Sequence, residues 1–154
     1  MKSALVFALT VMAAAAVAGD QTPWVDMESC PICVNVTNEE GLTENMVWEH
    51  HLTATGVMTL TTVPPDYQPK FVRAKGRMKE ILGKVVAGEA IDVCGYCSSI
   101  ASLLKSGAKA ENIVTSASDI LFISATDEVV IKDIQVHGQK TIDFLQVAQD
   151  DHDH

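Results

Sequence analysis

The residues with the clearest chemical potential are four cysteines, arranged as two Cys-x-x-Cys motifs, and the chain contains no other cysteine. The first motif is "CPIC" at 30–33 and the second is "CGYC" at 94–97. Thiolates are preferred ligands of zinc and copper(I), and two such motifs supply the four ligands of a tetrahedral site. We therefore predict a binding site for zinc or copper. Its ligands would be Cys30, Cys33, Cys94 and Cys97.

Two other interpretations of the same cysteines stay open at this point. An even number of cysteines in an exported chain is consistent with two disulfides that staple an interaction module without catalytic activity. A bridge between the motifs would close a loop of about sixty residues and stabilise the fold by roughly 3–4 kcal/mol. The third interpretation is a dithiol oxidoreductase, because a helix start near Cys94 would lower the pKa of that thiol.

The sequence "CGYC" resembles an oxidoreductase dithiol, and "CPIC" is similar to the glutaredoxin dithiol. Each resemblance covers four residues. A thioredoxin fold would also require a βαβ unit before the dithiol helix and a strand with a cis-proline after it. Here a basic helix precedes the second motif, and "ENIVTSASDILFISA" follows it without a proline. The flanking sequence therefore does not indicate that fold.

Two histidines are weaker candidate metal ligands. His50 shares the inward face of a predicted strand with Trp48 and Leu52, and His137 follows Ile134 at the margin of a helical apolar stripe. A histidine in such a position is more often a core residue with a hydrogen-bond partner than a ligand. Phosphate-loop, HExxH and GxSxG motifs are absent from the sequence, so we predict no catalytic residue and favour a protein that is not an enzyme.

An internal repeat predicts the architecture. A shift of 64 superposes the two cysteine motifs, and a shift of 63 places "TATGVMTLTT" (53–62) on "SASDILFISA" (116–125). Each pseudo-repeat, about 30–88 and 94–147, then contains a Cys-x-x-Cys segment, a hairpin and a helix. Since an isolated hairpin cannot bury its apolar face, we predict that the hairpins join in one sheet. The expected fold is an α+β two-layer sandwich, with a four-stranded antiparallel sheet from two duplicated ββα units.

The element boundaries follow from turn and cap residues. The first hairpin is predicted over 46–54 and 57–63, and the second over 112–117 and 120–125. A helix should open at "PPD" and end at Gly88, and another should begin after Thr126. A connecting helix is predicted at roughly 92–106, with Asp92 as its cap.

The ends of the chain predict export. Residues 1–18 combine Lys2, an apolar run and a small-residue cleavage site, as expected of a bacterial-type signal peptide. One α+β domain should then occupy 19–148, followed by a disordered acidic and histidine-containing tail at 149–154. We accordingly expect a periplasmic or extracellular protein without a membrane span.

Charge restricts the choice of partners. The formal net charge of −9 argues against nucleic acid. One basic segment, 70–84, places four cations on one helical face, where they could dock an anion or an acidic protein partner. The simpler interpretation of this face is a solvated surface balanced by acidic residues of the same fold. The four cations are Lys70, Arg73, Arg77 and Lys84.

Overall fold

A computed structural model describes residues 22–116 and 118–150 of the chain. The predicted signal peptide and residues 151–154 of the predicted tail lie outside these ranges. Within these ranges, four strands and four α-helices follow one another. They are α1 (Val34–Thr37), β1 (Val47–Thr53), β2 (Gly56–Thr62), α2 (Gln68–Ala87), α3 (Gly95–Lys105), β3 (Lys109–Val114), β4 (Ser118–Ser124) and α4 (Glu128–Asp150).

The four strands form one antiparallel sheet in the order β1-β2-β4-β3. Each hairpin contributes an outer and an inner strand, and the inner strands β2 and β4 pair at the centre. This confirms the predicted α+β fold with a four-stranded sheet from two hairpins.

The pairing of β2 with β4 also reflects the internal repeat of the sequence. Val57 pairs with Ile123, and Leu60 pairs with Ile120. A shift of 63 residues converts one of these pairs into the other, as a two-fold axis between β2 and β4 requires. The register of the sheet is therefore consistent with an origin in two duplicated ββα units.

Gly56 permits the close approach of the two central strands. A Cβ atom at this position would lie 2.0 Å from the carbonyl oxygen of Ile123. A side chain would push β2 away from β4 at the hairpin end. Glycine is thus required here by the neighbouring backbone.

One face of the sheet is covered by helices. Val57 and Ile123 point to this face and are buried with Ile100 and Leu103 of α3 and Ile134 of α4. The other face carries side chains that remain partly exposed, among them Met58 and Phe122. The sheet and the helices on its covered face are the two layers of the sandwich.

Several elements differ from their predicted boundaries. Strand β3 covers Lys109–Val114 where 112–117 was predicted, and α2 begins at Gln68, after the "PPD" that was predicted to open it. Helix α3 begins at Gly95 and not near Asp92, because Cys94 has an extended backbone and donates its N–H to the Sγ atom of Cys30. The second hairpin turns before Ser118, so Asp119 belongs to β4, where its buried carboxylate pairs with Lys75 of α2. The end of α2 is as predicted, with Gly88 at a φ of 98°.

No helix among the described residues is both long enough and apolar enough to cross a membrane.

Candidate metal centre

The four cysteines meet in one buried cluster. Their Sγ atoms all lie within 4.8 Å of one another. The Sγ atom of Cys33 lies 3.5 Å from that of Cys97 and 3.7 Å from that of Cys94. Each cysteine is at most 5% exposed to solvent. The fold thus brings together the two motifs that are 64 residues apart in sequence.

Local structure aims each thiol at the same point. Cys33 immediately precedes α1, and Cys94 occupies the N-cap position of α3, with Cys97 in the first turn of that helix. In the first motif the backbone N–H of Val34 bonds to the carbonyl of Cys30, which closes a turn around Pro31. Both motifs therefore bend just before a helix, so that the two thiols of each converge.

The sulfur separations match a single tetrahedral ion. With a zinc–sulfur bond of about 2.3 Å, two ligands of a tetrahedron lie roughly 3.8 Å apart. The separations of 3.5 and 3.7 Å agree with this value, and they exceed the disulfide bond length of about 2.05 Å. All four cysteines are free thiols. The structure therefore contains a four-thiol cluster that could hold a metal ion, and it contains no disulfide among these cysteines.

The charges within the cluster favour a cation. Hydrogen bonds from Cys33 and Cys97 lower the pKa of the Cys94 thiol. The hydrogen bond with Cys33 and burial both raise the pKa of Cys97, and the hydrogen bond with Cys94 and burial raise that of Cys33. The first thiolate is thus stabilised by its neighbours, while further ionisation meets burial and like charge. A divalent cation would supply the charge that lets the remaining thiols ionise.

A buried amide holds the first motif in shape. The side chain of Asn35 donates two hydrogen bonds, to the carbonyls of Pro31 (2.8 Å) and Ile32 (3.1 Å). Its amide oxygen accepts a hydrogen bond from Arg77 Nε at 2.9 Å. The Arg77 guanidinium also pairs with Glu39 at 2.8 Å. Arg77 therefore connects α2 to the turn that presents Cys30 and Cys33.

Three elements surround the cluster with apolar groups. The cysteines pack with buried Ile32 of the first motif, Val85 of α2 and Ala101 of α3. This dry environment strengthens electrostatic interactions at the sulfurs and restricts the access of solvent.

The two candidate histidines do not belong to this group. His50 and His137 are both buried, 6% and 2% exposed, and their ring centroids lie 6.5 Å apart. Tyr96, between Cys94 and Cys97 in sequence, contacts both rings at centroid distances of 5.9 and 5.0 Å. The sequence placed both histidines near the core but gave no signal that they meet.

The basic helical face is largely paired within the chain. Arg73 and Arg77 both bind Glu39, and together they lower the pKa of its carboxyl to about 2. Lys70 donates to the backbone carbonyl of Glu40, and Lys84 pairs with Glu80 one turn earlier at 2.9 Å. Three of the four cations thus have an acidic partner within the fold, and Lys70 has a backbone carbonyl.

Sequence reasoning did not identify Asn35 as part of the centre and assigned Arg77 to a surface patch. Asn35 lies two residues after Cys33, and its polar side chain stands between the apolar Val34 and Val36. A polar residue between two apolar ones was a signal that Asn35 has a structural role. Only the packing of α2 shows that its partner is Arg77.

The fold and the cluster together define a class, a small α+β protein with a buried four-cysteine centre. Comparisons of the chain with protein-family models, curated proteins and solved structures find no match.

Proposed function

We propose that this chain is an exported metal-binding protein that holds one soft transition-metal ion in a tetrahedral site. The ligands would be the thiolates of the two motifs, with zinc as the first candidate and copper(I) as the second. The observation that carries the proposal is the convergence of four free, buried Sγ atoms within 4.8 Å, at separations that fit a single ion.

The site has the properties of a structural metal centre. Its four thiolates fill a tetrahedral coordination shell and leave no position for a substrate or a water molecule, which catalytic zinc requires. A tetrahedral set of four sulfurs suits zinc, whereas copper(I) also accepts fewer ligands. We therefore infer that the ion stabilises the fold and takes no part in a reaction.

Export of the chain rests on its N-terminal sequence. Lys2, the apolar run and the small residues before Gly19 support a signal peptide and a periplasmic or extracellular location. In such an oxidising compartment a bound ion would protect the thiols from disulfide formation. Metal binding and export are therefore compatible.

The test is a metal and thiol count on one sample. The full chain is expressed in its natural compartment, purified anaerobically, and measured for zinc, copper and free thiols. We expect close to one ion per chain, lost in a Cys30→Ser/Cys94→Ser double variant. Ser98→Ala serves as the matched control, because Ser98 is exposed and adjoins Cys97.

A second measurement identifies the ligands. Cobalt(II) in place of zinc should give the intense charge-transfer and visible bands of tetrahedral thiolate coordination. Protein that carries no metal and no free thiol would overturn the proposal and leave the disulfide-stapled module. A metal-free dithiol with a reversible potential in the oxidoreductase range would instead indicate thiol exchange.

A further inference from the structure

Two buried imidazole nitrogens outside the cysteine cluster have no hydrogen-bond partner. They are Nδ1 of His50 and Nε2 of His137. The other nitrogen of each ring has one, because His50 Nε2 lies 3.2 Å from the Thr59 hydroxyl and His137 Nδ1 lies 3.0 Å from the Ser99 hydroxyl. Buried polar atoms are almost always paired, so two unpartnered nitrogens on neighbouring rings indicate an absent ligand.

Both rings are held in fixed positions by different elements. His50 is on β1 and its hydroxyl partner is on β2, whereas His137 is on α4 and its partner is on α3. The two unpartnered atoms therefore belong to opposite layers of the sandwich. Such anchoring of one nitrogen by a second group is the usual arrangement for a histidine that binds a metal through the other.

Aromatic side chains enclose the histidine pair. Trp48 lies 5.0 Å from His50, and Trp24 lies 5.5 Å from His137, between ring centroids. Tyr96 contacts both histidines. These rings restrict the access of water to the histidine pair.

The protonation state of the pair suits a metal. Burial lowers the pKa of both His50 and His137 to about 4. At neutral pH the two rings are uncharged, and a neutral imidazole is the form that ligates a metal.

We propose that His50 and His137 form a second metal site, distinct from the cysteine centre, which binds one copper(I) ion between His50 Nδ1 and His137 Nε2. The donor number selects the ion. Among the described residues, the four cysteines are the only group of three or more histidine, cysteine or carboxylate ligands that lie close together. The histidine pair therefore offers two nitrogens, too few for zinc, whereas copper(I) is stable with two ligands in a line.

The ring separation agrees with this geometry. With a metal–nitrogen bond of about 2.0 Å, two imidazoles on opposite sides of one ion place their centroids roughly 6.3 Å apart. The observed distance is 6.5 Å. A buried water is the alternative occupant, but such a water typically makes about three hydrogen bonds, and the aromatic walls add few partners.

Silver(I) provides a direct test, because it shares the two-coordinate preference of copper(I) and its nuclear spin splits the resonance of any nitrogen bound to it. The full chain, labelled with ¹⁵N at histidine and loaded with zinc, is titrated with silver(I). We expect splitting at His50 Nδ1 and His137 Nε2 as silver is added. Silver that enters the thiolate centre splits no histidine nitrogen, so this readout is independent of the first site.

The neighbouring His51 is the internal control. It is exposed on the same strand as His50, and its nitrogens should show no splitting. Anaerobic copper(I) titration against a chromophoric chelator should then show one equivalent fewer in His137→Phe than in His51→Phe, with the zinc content unchanged. Unsplit His50 and His137 resonances at three equivalents of silver would overturn the proposal and assign the space to water alone.

Discussion

Cys94 is the residue at which ionisation of the thiol cluster begins. Its pKa is lowered by hydrogen bonds from Cys33 and Cys97, while the pKa values of those two thiols are raised. A zinc ion needs four thiolates, so binding must displace the protons that the cluster retains. Zinc affinity should therefore rise with pH.

The prediction is a release of at least two protons per zinc at pH 7, those of Cys33 and Cys97, which makes the apparent affinity increase with pH. Calorimetric titration in two buffers of different ionisation enthalpy measures the proton number. A value near zero would mean that the thiolates are already formed without the metal. That result would contradict the charge distribution described for this cluster.

The buried rings of His50 and His137 also make the stability of the fold depend on pH. Burial lowers both pKa values from 6.5 to about 4. The unfolded chain therefore binds more protons than the folded chain as pH falls below 6.5, and the stabilising effect of the neutral rings is lost between pH 6.5 and 4.

In the metal-free, reduced protein we expect the free energy of unfolding to fall over this range by on the order of 2–3 kcal/mol per histidine. Urea unfolding at pH 7, 5.5 and 4.5 measures the loss. His137→Phe should remove part of it, while His51→Ala should retain it all. Equal pH dependence in His137→Phe and the parent protein would be inconsistent with a buried neutral ring.

At the scale of elements, α4 packs closely on β1 and β2 through Gly138. A Cβ atom at Gly138 would lie 2.7 Å from Leu52 Cδ2 and 3.0 Å from Val57 Cγ2. Leu52 is partly exposed and can move, but Val57 is 1% exposed and cannot. The absence of a side chain at 138 therefore sets the distance between the helix and the sheet.

We predict that Gly138→Ala lowers the free energy of unfolding by roughly 1–3 kcal/mol, in spite of the better helix propensity of alanine. Gly83→Ala in α2 is the matched control, since no atom other than those of its chain neighbours and its own helix backbone lies within 4 Å of the added Cβ. That variant should gain about 0.5–1 kcal/mol. Thermal and chemical denaturation measure the free energy of unfolding of both variants. An equal increase in both would show that α4 does not pack closely on the sheet at Gly138.

The contact between α2 and the first motif depends on Arg77 more than on Arg73. Both pair with Glu39, but only Arg77 reaches Asn35, whose amide orders the turn at Pro31 and Ile32. Loss of Arg77 should therefore loosen the turn that presents Cys30 and Cys33.

We expect Arg77→Met to weaken zinc binding about 10-fold or more, as is typical for groups that orient metal ligands. Arg73→Met should change it little, because the Glu39 contact of Arg77 remains. Competition with a zinc chelator measures both affinities. Equal zinc affinities in the two variants would show that Arg77 does not support the site.

The elements show which features the sequence can predict. Hairpins, helices and the capping glycine at 88 follow from local periodicity and turn residues, and the repeat supplied the pairing of the hairpins. The start of α3 was misplaced because the Cys94 N–H bonds to a sulfur 64 residues away. The meeting of His50 and His137 depends on how α4 crosses the sheet, and no local pattern encodes that crossing.

At the scale of the whole molecule, the cysteine centre joins the N-terminal segment to the helical layer. The first N–H groups of α3 donate to this segment, from Gly95 to Pro23 at 3.0 Å and from Tyr96 to Trp24 at 2.7 Å. Trp24 in turn donates to Thr141 of α4. The central pairing of β2 with β4 includes none of these contacts. The N-terminal segment is therefore held by contacts near the cysteine cluster and on α4, whereas β2 and β4 pair with each other and pack on the helices through contacts of their own.

Removal of the ion should accordingly loosen one end of the molecule and leave the sheet in place. A ligand at 100 times its dissociation constant stabilises the folded state by about 2.7 kcal/mol, so chelation should lower the melting temperature by roughly 10 °C. Hydrogen exchange locates the effect. The amides of Val34, Val36, Gly95 and Tyr96 should lose protection first, whereas those of β2 and β4 should exchange only with global unfolding. Uniform loss of protection across the sheet would mean that the metal end and the sheet form one cooperative unit, and unchanged protection at all four amides would mean that the thiol cluster is ordered without an ion.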